Sequence, residues 1–308
     1  MHNGSLVAVF SSLLLASTAA AQGACLDQSY QPGSLTNGLE VTANQPVTQT
    51  FTVGITGQLV QVEVSRIGHH NGVSSNPLQI AVVTTDLTGT PTTTVLASAS
   101  VQAASVPTSI GSVLVDISAF NVAVQAGQVL GLALTSPNAP GTPSYGWWGV
   151  APGGAYAQGQ VFIQQTIGLS VWDLAFQTWV LAPASWTNYG PGHPGTNGIP
   201  SLTSSANPVI GTAPNLLLGN SANAPTFGGL LFGFSTAAAS TPWGGTALLQ
   251  PLSSVGLAVP QGGAQFPFSL PNDPTLCGFV VYVQGVLLDA GASHGIAFTS
   301  GLAYSIGS

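Results

Sequence analysis

Four aromatic side chains crowd one glycine-rich stretch of this chain, Ser144-Tyr-Gly-Trp-Trp-Gly-Val-Ala-Pro-Gly-Gly-Ala-Tyr156. Tyr145, Trp147, Trp148 and Tyr156 suit one kind of chemistry, stacking against an uncharged hydroxylated ring such as a sugar. An indole offers a broad apolar face and a single N–H donor, which is what such a ligand can use. If the segment is extended, neighbouring Trp147 and Trp148 point to opposite sides, so one of them is predicted at the surface. A competing reading weighs more: one tryptophan fills a core and the other caps a sheet edge.

The polar candidates are sparser. Gly233-Phe-Ser-Thr-Ala237 approximates a nucleophile elbow, and Asp289 and His294 follow in the order Ser, Asp, His. Such an elbow needs a strand, a sharp turn and a helix, and no helix is predicted nearby, so Ser235 is read as a strand residue. Gly190-Pro-Gly-His-Pro-Gly195 matches a dinucleotide fingerprint in letters alone, since Pro191, Pro194 and Pro200 leave no helix to meet a pyrophosphate. It is read as a linker and strand lead-in. His69 and His70 could hold one ion only in an irregular loop, because strand neighbours point apart, and a polar loop between strands is expected there. Asp86, Asp116 and Asp173 could help hold a structural calcium, although turn capping explains each as well. No cofactor is otherwise expected. Cys25 and Cys277 make an even pair that export would allow to bond, or two thiols that act as small apolar residues.

The elements that must position these groups are strands. Val60, Val62 and Val64 alternate with Gln61, Glu63 and Ser65, the period of a strand with one buried and one wet face. Val47-Gln49-Phe51-Val53, Leu78-Ile80-Val82, Val113-Val115-Ile117 and Leu130-Leu132-Leu134 repeat the pattern between turn-rich segments. Trp172-Asp-Leu-Ala-Phe-Gln-Thr-Trp-Val180 reads as a closing strand, and beyond it the composition turns to Pro, Gly, Ser and Asn. Later on, 279–288 and 302–306 read as strands about the turn Pro271-Asn-Asp-Pro274. No window after the leader carries a capped 3.6-residue period, so parallel βαβ architectures are disfavoured.

Charge narrows the function further. Only 3% of residues are charged, against roughly 25% in an average domain. Arg66 is the sole cation besides histidines and the net charge is −7, so no basic patch exists to neutralise nucleic acid or anionic lipid. Leu6 to Ala16 is a short apolar run before Ala19-x-Ala21, the pattern of a signal peptide cleaved after Ala21. The run is too short for a membrane anchor, and a lipid on Cys25 would want Leu three residues earlier, where Gln22 stands. Cleavage leaves 308 − 21 = 287 residues, comfortable for two domains.

Gln49-Thr-Phe-Thr-Val53, Gly89-Thr-Pro-Thr-Thr-Thr-Val-Leu-Ala97, Val124-Gln-Ala-Gly127 and the Trp172 to Val180 stretch resemble a jelly-roll sandwich domain of bacterial extracellular proteins. The resemblance implies a fold and an exported setting, and carries over no catalytic residue. Gly190 to Gly195, Leu216-Leu-Leu-Gly-Asn220, Leu230 to Ser235, Thr241-Pro-Trp-Gly-Gly245, Leu270 to Pro274 and Val286 to Gly291 resemble an uncharacterised β-rich module that closes secreted proteins of environmental bacteria. Members of that module often carry Cys where this chain has His193, so no family disulfide is implied there. The expectation is therefore an all-β protein of two antiparallel sandwiches: a leader over 1–21, a jelly-roll-like domain over 22–182, a Pro/Gly-rich linker and lead-in over 183–200, and a second sandwich over 201–308. It is expected to be a secreted, non-enzymatic binder of a polysaccharide or cell-surface component through Tyr145, Trp147, Trp148 and Tyr156, without nucleic acid or membrane insertion. A self-associating structural protein is the second expectation, and a secreted hydrolase the third.

Overall fold

A computed structural model describes residues 23–35, 37–150 and 156–308. The expected cleavage site at Ala21 lies outside these residues. Among them the fold is all-β, with three short 3-10 turns as the only helical elements. Every named strand pair is antiparallel, as period-2 alternation separated by tight turns demands.

Two sheets face each other in the first half. One contains Cys25–Tyr30, Phe176–Leu181, Gly57–His70 and Ser144–Val150 in that order, with Asn37–Val41, Gly111–Asp116 and Val122–Val124 pairing at its flanks. The other runs Ile167–Leu169, Val161–Ile163, Val47–Thr52, Val129–Thr135, Leu78–Thr85, Pro91–Val101. Val62, Val64 and Phe176 from the first sheet meet Phe51, Leu132 and Ile80 from the second, with the rings of Phe51 and Phe176 at 5.7 Å. This is a sandwich core. The stretch read as a closing strand, Trp172 to Val180, is two strands: Asp173–Leu174 on Ser144–Val150, and Phe176–Leu181 between Cys25–Tyr30 and Gly57–His70. The predicted wet face of Gly57–His70 is largely covered. Gln61 lies opposite Trp179 and Ser65 takes a hydrogen bond from the Gln31 side chain, so both are buried.

In the second half, Ser185–Tyr189, Ile296–Ser305, Val280–Leu288, Thr226–Gly233 and Ser253–Val259 form one sheet, and Leu202–Ser204, Asn215–Leu218 and Ala264–Pro267 form another. Leu216 and Leu218 pack with Val283, Leu302 and Tyr304. The stretch expected as linker and lead-in thus supplies an edge strand, Ser185–Tyr189, paired along its length with Ile296–Ser305. Cys25 and Cys277 are joined in a disulfide with their Cα atoms 5.6 Å apart. Cys25 opens the first sheet, yet it is buried in the second core, and Ile55 packs against both cores. The two hydrophobic clusters therefore meet at this bolt.

Candidate ligand-binding face

Ser144–Val150 runs between Asn37–Val41 and Gly57–His70, and its alternation separates the aromatic side chains. Tyr145 and Trp147 turn inward and have no exposed surface. The Tyr145 hydroxyl donates to the Asn76 carbonyl, and burial raises its pKa. Trp147 Nε1 donates to the Ala175 carbonyl at 2.8 Å. Neither ring has a face left for a ligand, which corrects the four-residue platform expected from sequence: an inward-facing aromatic on a central strand is core by geometry.

Tyr156 is half-buried and occupied by packing. Its ring meets Phe176 edge-on at 5.2 Å and Tyr30 at 6.0 Å, and its hydroxyl donates to Gln28 Oε1 at 2.8 Å. Burial pushes its pKa well up, and the nearby carboxylates of Asp27 and Asp173 add to the effect.

Trp148 is different. It points to the outer face of the sheet and keeps part of its surface in solvent. Gly38 is its cross-strand partner and Gly146 precedes it on the same face. A Cβ on Gly38 would fall 2.6 Å from Trp148 Cδ1 and Nε1, and one on Gly146 would fall within 3.0 Å of three atoms of the six-membered ring. The indole therefore lies across a floor of two glycines, one under each ring. That close approach is the physical requirement for glycine at both positions. His70 stands edge-on to the indole at 6.3 Å. On the same outer face Glu40 accepts from Ser144 Oγ at 2.7 Å, from the Gly141 N–H at 3.3 Å and from Asn71 Nδ2 at 3.4 Å. One flat indole thus has an imidazole at its edge and shares its face with a carboxylate, groups that can donate to and accept from hydroxyls.

The other candidates do not converge. His69 and His70 end a strand rather than sit in a polar loop, and they point apart: His69 Nδ1 accepts from the Ser74 N–H at 2.9 Å, while its ring packs on Tyr145 at 5.1 Å. Ser235 lies at the bend between Thr226–Gly233 and Thr236–Ser240, not within a strand, and its hydroxyl donates to Gln250. Asp289 is committed to Thr196, Ser221 and Gly291. Burial acts to raise its pKa, but these donors outweigh it and hold the carboxyl below the usual range. Asp86 caps its own turn through Thr88 and Thr90. Asp116 accepts from the Ser118 N–H. Asp173 is buried beside Gln49 and the Tyr156 N–H, and burial raises its pKa against those bonds. Among the described residues no three His, Cys, Asp or Glu side chains gather as a metal group.

Sequence reasoning missed a second concave surface. Phe232, Phe234, Leu252, Val255, Phe266 and Phe268 line an open apolar cleft of about 430 Å³ between the two sheets of the second half. Phe234 and Leu252 are largely exposed. The Leu230-Leu-Phe-Gly-Phe run signals it only in retrospect, since alternation alone does not show which apolar residues stay uncovered.

No family model matches the chain, and no curated protein matches it. Among solved structures it is similar to a glycosyl hydrolase family 2 member from Bacteroides cellulosilyticus DSM 14838, at 12% identity and a TM-score of 0.18, over 88% of this chain and 30% of that one. A likeness of that size carries no argument about this chain.

Proposed function

We propose that this chain is an exported, non-enzymatic binding protein that holds a neutral glycan, free or on a cell surface or matrix, against Trp148. The single observation that carries the proposal is the indole spread over Gly38 and Gly146 with His70 at its edge and Glu40, the cross-strand partner of Gly146, on the same face. Stacking supplies affinity for the apolar face of a sugar, and the polar border supplies orientation. The surface is almost free of cations, which suits an uncharged ligand. The Cys25–Cys277 disulfide and the apolar leader support an oxidising, extracytoplasmic destination.

A glycan array on the mature protein, followed by titration of the best neutral polysaccharide, tests the proposal. Trp148→Ala should weaken binding at least tenfold, in line with the roughly 1–3 kcal/mol that aromatic stacking supplies elsewhere. Saturable binding that survives Trp148→Ala, or no binding to any neutral glycan, would refute it. Intact-mass analysis of secreted material should give a chain beginning at Gln22.

The apolar cleft flanked by Phe234 and Leu252 favours a second reading, a self-associating structural protein of a matrix or surface layer. Concentration-dependent light scattering without ligand would select it.

A further inference from the structure

Two loops a hundred residues apart bring three polar side chains to one point. His193 Nε2 lies 3.0 Å from Ser293 Oγ, and His294 Nδ1 lies 3.1 Å from the same oxygen. Both imidazoles therefore aim a ring nitrogen at one exposed hydroxyl. The backbone holds them there independently of the side chains. His193 exchanges N–H and C=O bonds with Phe298 at 2.8 and 3.0 Å, and Ser293 and His294 sit in a turn closed by Asp289 N–H to Gly295 C=O at 2.9 Å and Gly295 N–H to Ala292 C=O at 3.0 Å. The buried Asp289 carboxylate ties that turn to the His193 loop through the Thr196 N–H and hydroxyl. Gly244 closes one flank. It has a positive φ, and a Cβ there would stand 3.1 Å from both Ser293 Oγ and His294 Nδ1.

We propose that His193, His294 and Ser293 form a surface site for a first-row transition-metal dication, with zinc or copper as the chemical class. Imidazole nitrogens are the donors that such ions prefer over calcium or magnesium. Tetrahedral metal–nitrogen bonds of about 2.1 Å place neighbouring donors about 3.4 Å apart, so the 3.0 and 3.1 Å hydrogen-bonded edges that meet at Ser293 Oγ need open by only a few tenths of an ångström to admit an ion. An ion capping the three donors replaces the hydrogen bonds of the hydroxyl and leaves its outer positions to water. Gly244 matters because any side chain there would occupy the space beside the donors. The site is separate from Trp148 and does not depend on the glycan reading.

Calorimetric titration of the metal-free full chain with zinc, and separately with copper, tests the proposal. One equivalent should bind at neutral pH and leave with EDTA. His193→Ala and His294→Ala should each weaken binding at least tenfold, Ser293→Ala only a few-fold, and the His69→Ala/His70→Ala pair not at all. Because the anchors of both loops are backbone bonds, the His193, Ser293 and His294 variants should keep the wild-type melting temperature measured with EDTA present, which separates lost ligation from lost folding. Electron paramagnetic resonance of the copper form should show nitrogen hyperfine structure from two imidazoles, and from one in either single variant. No binding, or binding that survives both His193→Ala and His294→Ala, overturns the assignment.

Discussion

Replacing Gln284 by Met should uncouple one hairpin from the second sandwich. Gln284 sits in Val280–Leu288 with no exposed surface. Its Nε2 donates to the Thr246 carbonyl at 3.0 Å and to the Thr299 carbonyl at 3.1 Å, and its Oε1 accepts from the Leu248 N–H at 3.0 Å. With the Tyr189 hydroxyl, which donates to the Leu248 carbonyl at 3.0 Å, this side chain holds the backbone of Thr246–Leu249 against a sheet with which that strand has no ladder. Met conserves length and apolar bulk but makes none of the three bonds. At about 0.5–1.5 kcal/mol net for each bond, or about 1–3 kcal/mol where a partner stays buried and unpaired, the expected loss is about 3–5 kcal/mol. That is about a fifth or more of the stability of an ordinary domain, and a melting temperature lower by roughly 10 °C. Urea unfolding gives the free energy, and hydrogen exchange localises it: the Leu248 amide should lose protection while amides of the first sandwich keep theirs. A variant that melts within about 2 °C of wild type with Leu248 still protected would refute the reasoning.

The adjacent tryptophans should behave oppositely. Trp147→Ala should cost about 3–5 kcal/mol of stability, whereas Trp148→Ala should lose glycan affinity with a much smaller stability change, as thermal melts and titrations of both variants would show. Gly146→Ala should displace the indole and weaken glycan binding at least five-fold. Replacing both cysteines by Ser opens a loop of 252 residues, for which chain entropy sets a ceiling of about 5.5 kcal/mol; chemical denaturation should show a loss of about 2–5 kcal/mol. Acid should weaken the Asp289 turn. Its carboxyl is depressed in the folded state, so its contribution is present above the unfolded value of about 3.9 and lost as pH falls below it. Asp27 and Asp173 are raised, chiefly by burial, so what they contribute is present below that value and fades as pH rises through their folded-state pKa. Melts from pH 2 to 7 should show a flatter acid limb for Asp289→Asn than for wild type.

The strands of the first sandwich core were legible because apolar residues alternate with polar ones along Val47–Thr52, Gly57–His70, Gly111–Asp116 and their neighbours, and no helical period competes. The sides of the strands were legible only in part. Gln49 stands in the run Val47-Gln49-Phe51-Val53 on its apolar face. It is fully buried because Leu174 N–H donates to its Oε1 at 2.7 Å and its Nε2 reaches the Thr50 carbonyl. Gln284 plays the same part for the Thr246–Leu249 strand. A glutamine that satisfies backbone from a distant strand looks in sequence like any other polar residue. Trp147 and Trp148 could be set on opposite faces from adjacency alone, but which one faced inward depends on pairing with Asn37–Val41, more than a hundred residues away. His193 and Ser293 meet for the same kind of reason. The bridge between His193 and Phe298 that joins their loops is a tertiary contact with no local signature.

The disulfide also sets how the protein would bear tension. Gly23 lies against Ser308, where a Cβ on the glycine would be 3.3 Å from the serine Cβ, and the Ser308 N–H binds the Ala182 carbonyl at 2.8 Å. A pull applied through residues 23 and 308 enters at Cys25 and crosses at once to Cys277. The whole first sandwich, the Trp148 face and most of the second sandwich then hang from a covalent loop off the line of force. Only the strands after Cys277 are stretched, with Val280–Leu288 and Ile296–Ser305 as the fuse. Reduced, the same pull would begin by drawing Cys25–Tyr30 off the edge of its sheet. Loaded through residues 23 and 308, the oxidised protein would keep its outer face intact under forces that strip the reduced one.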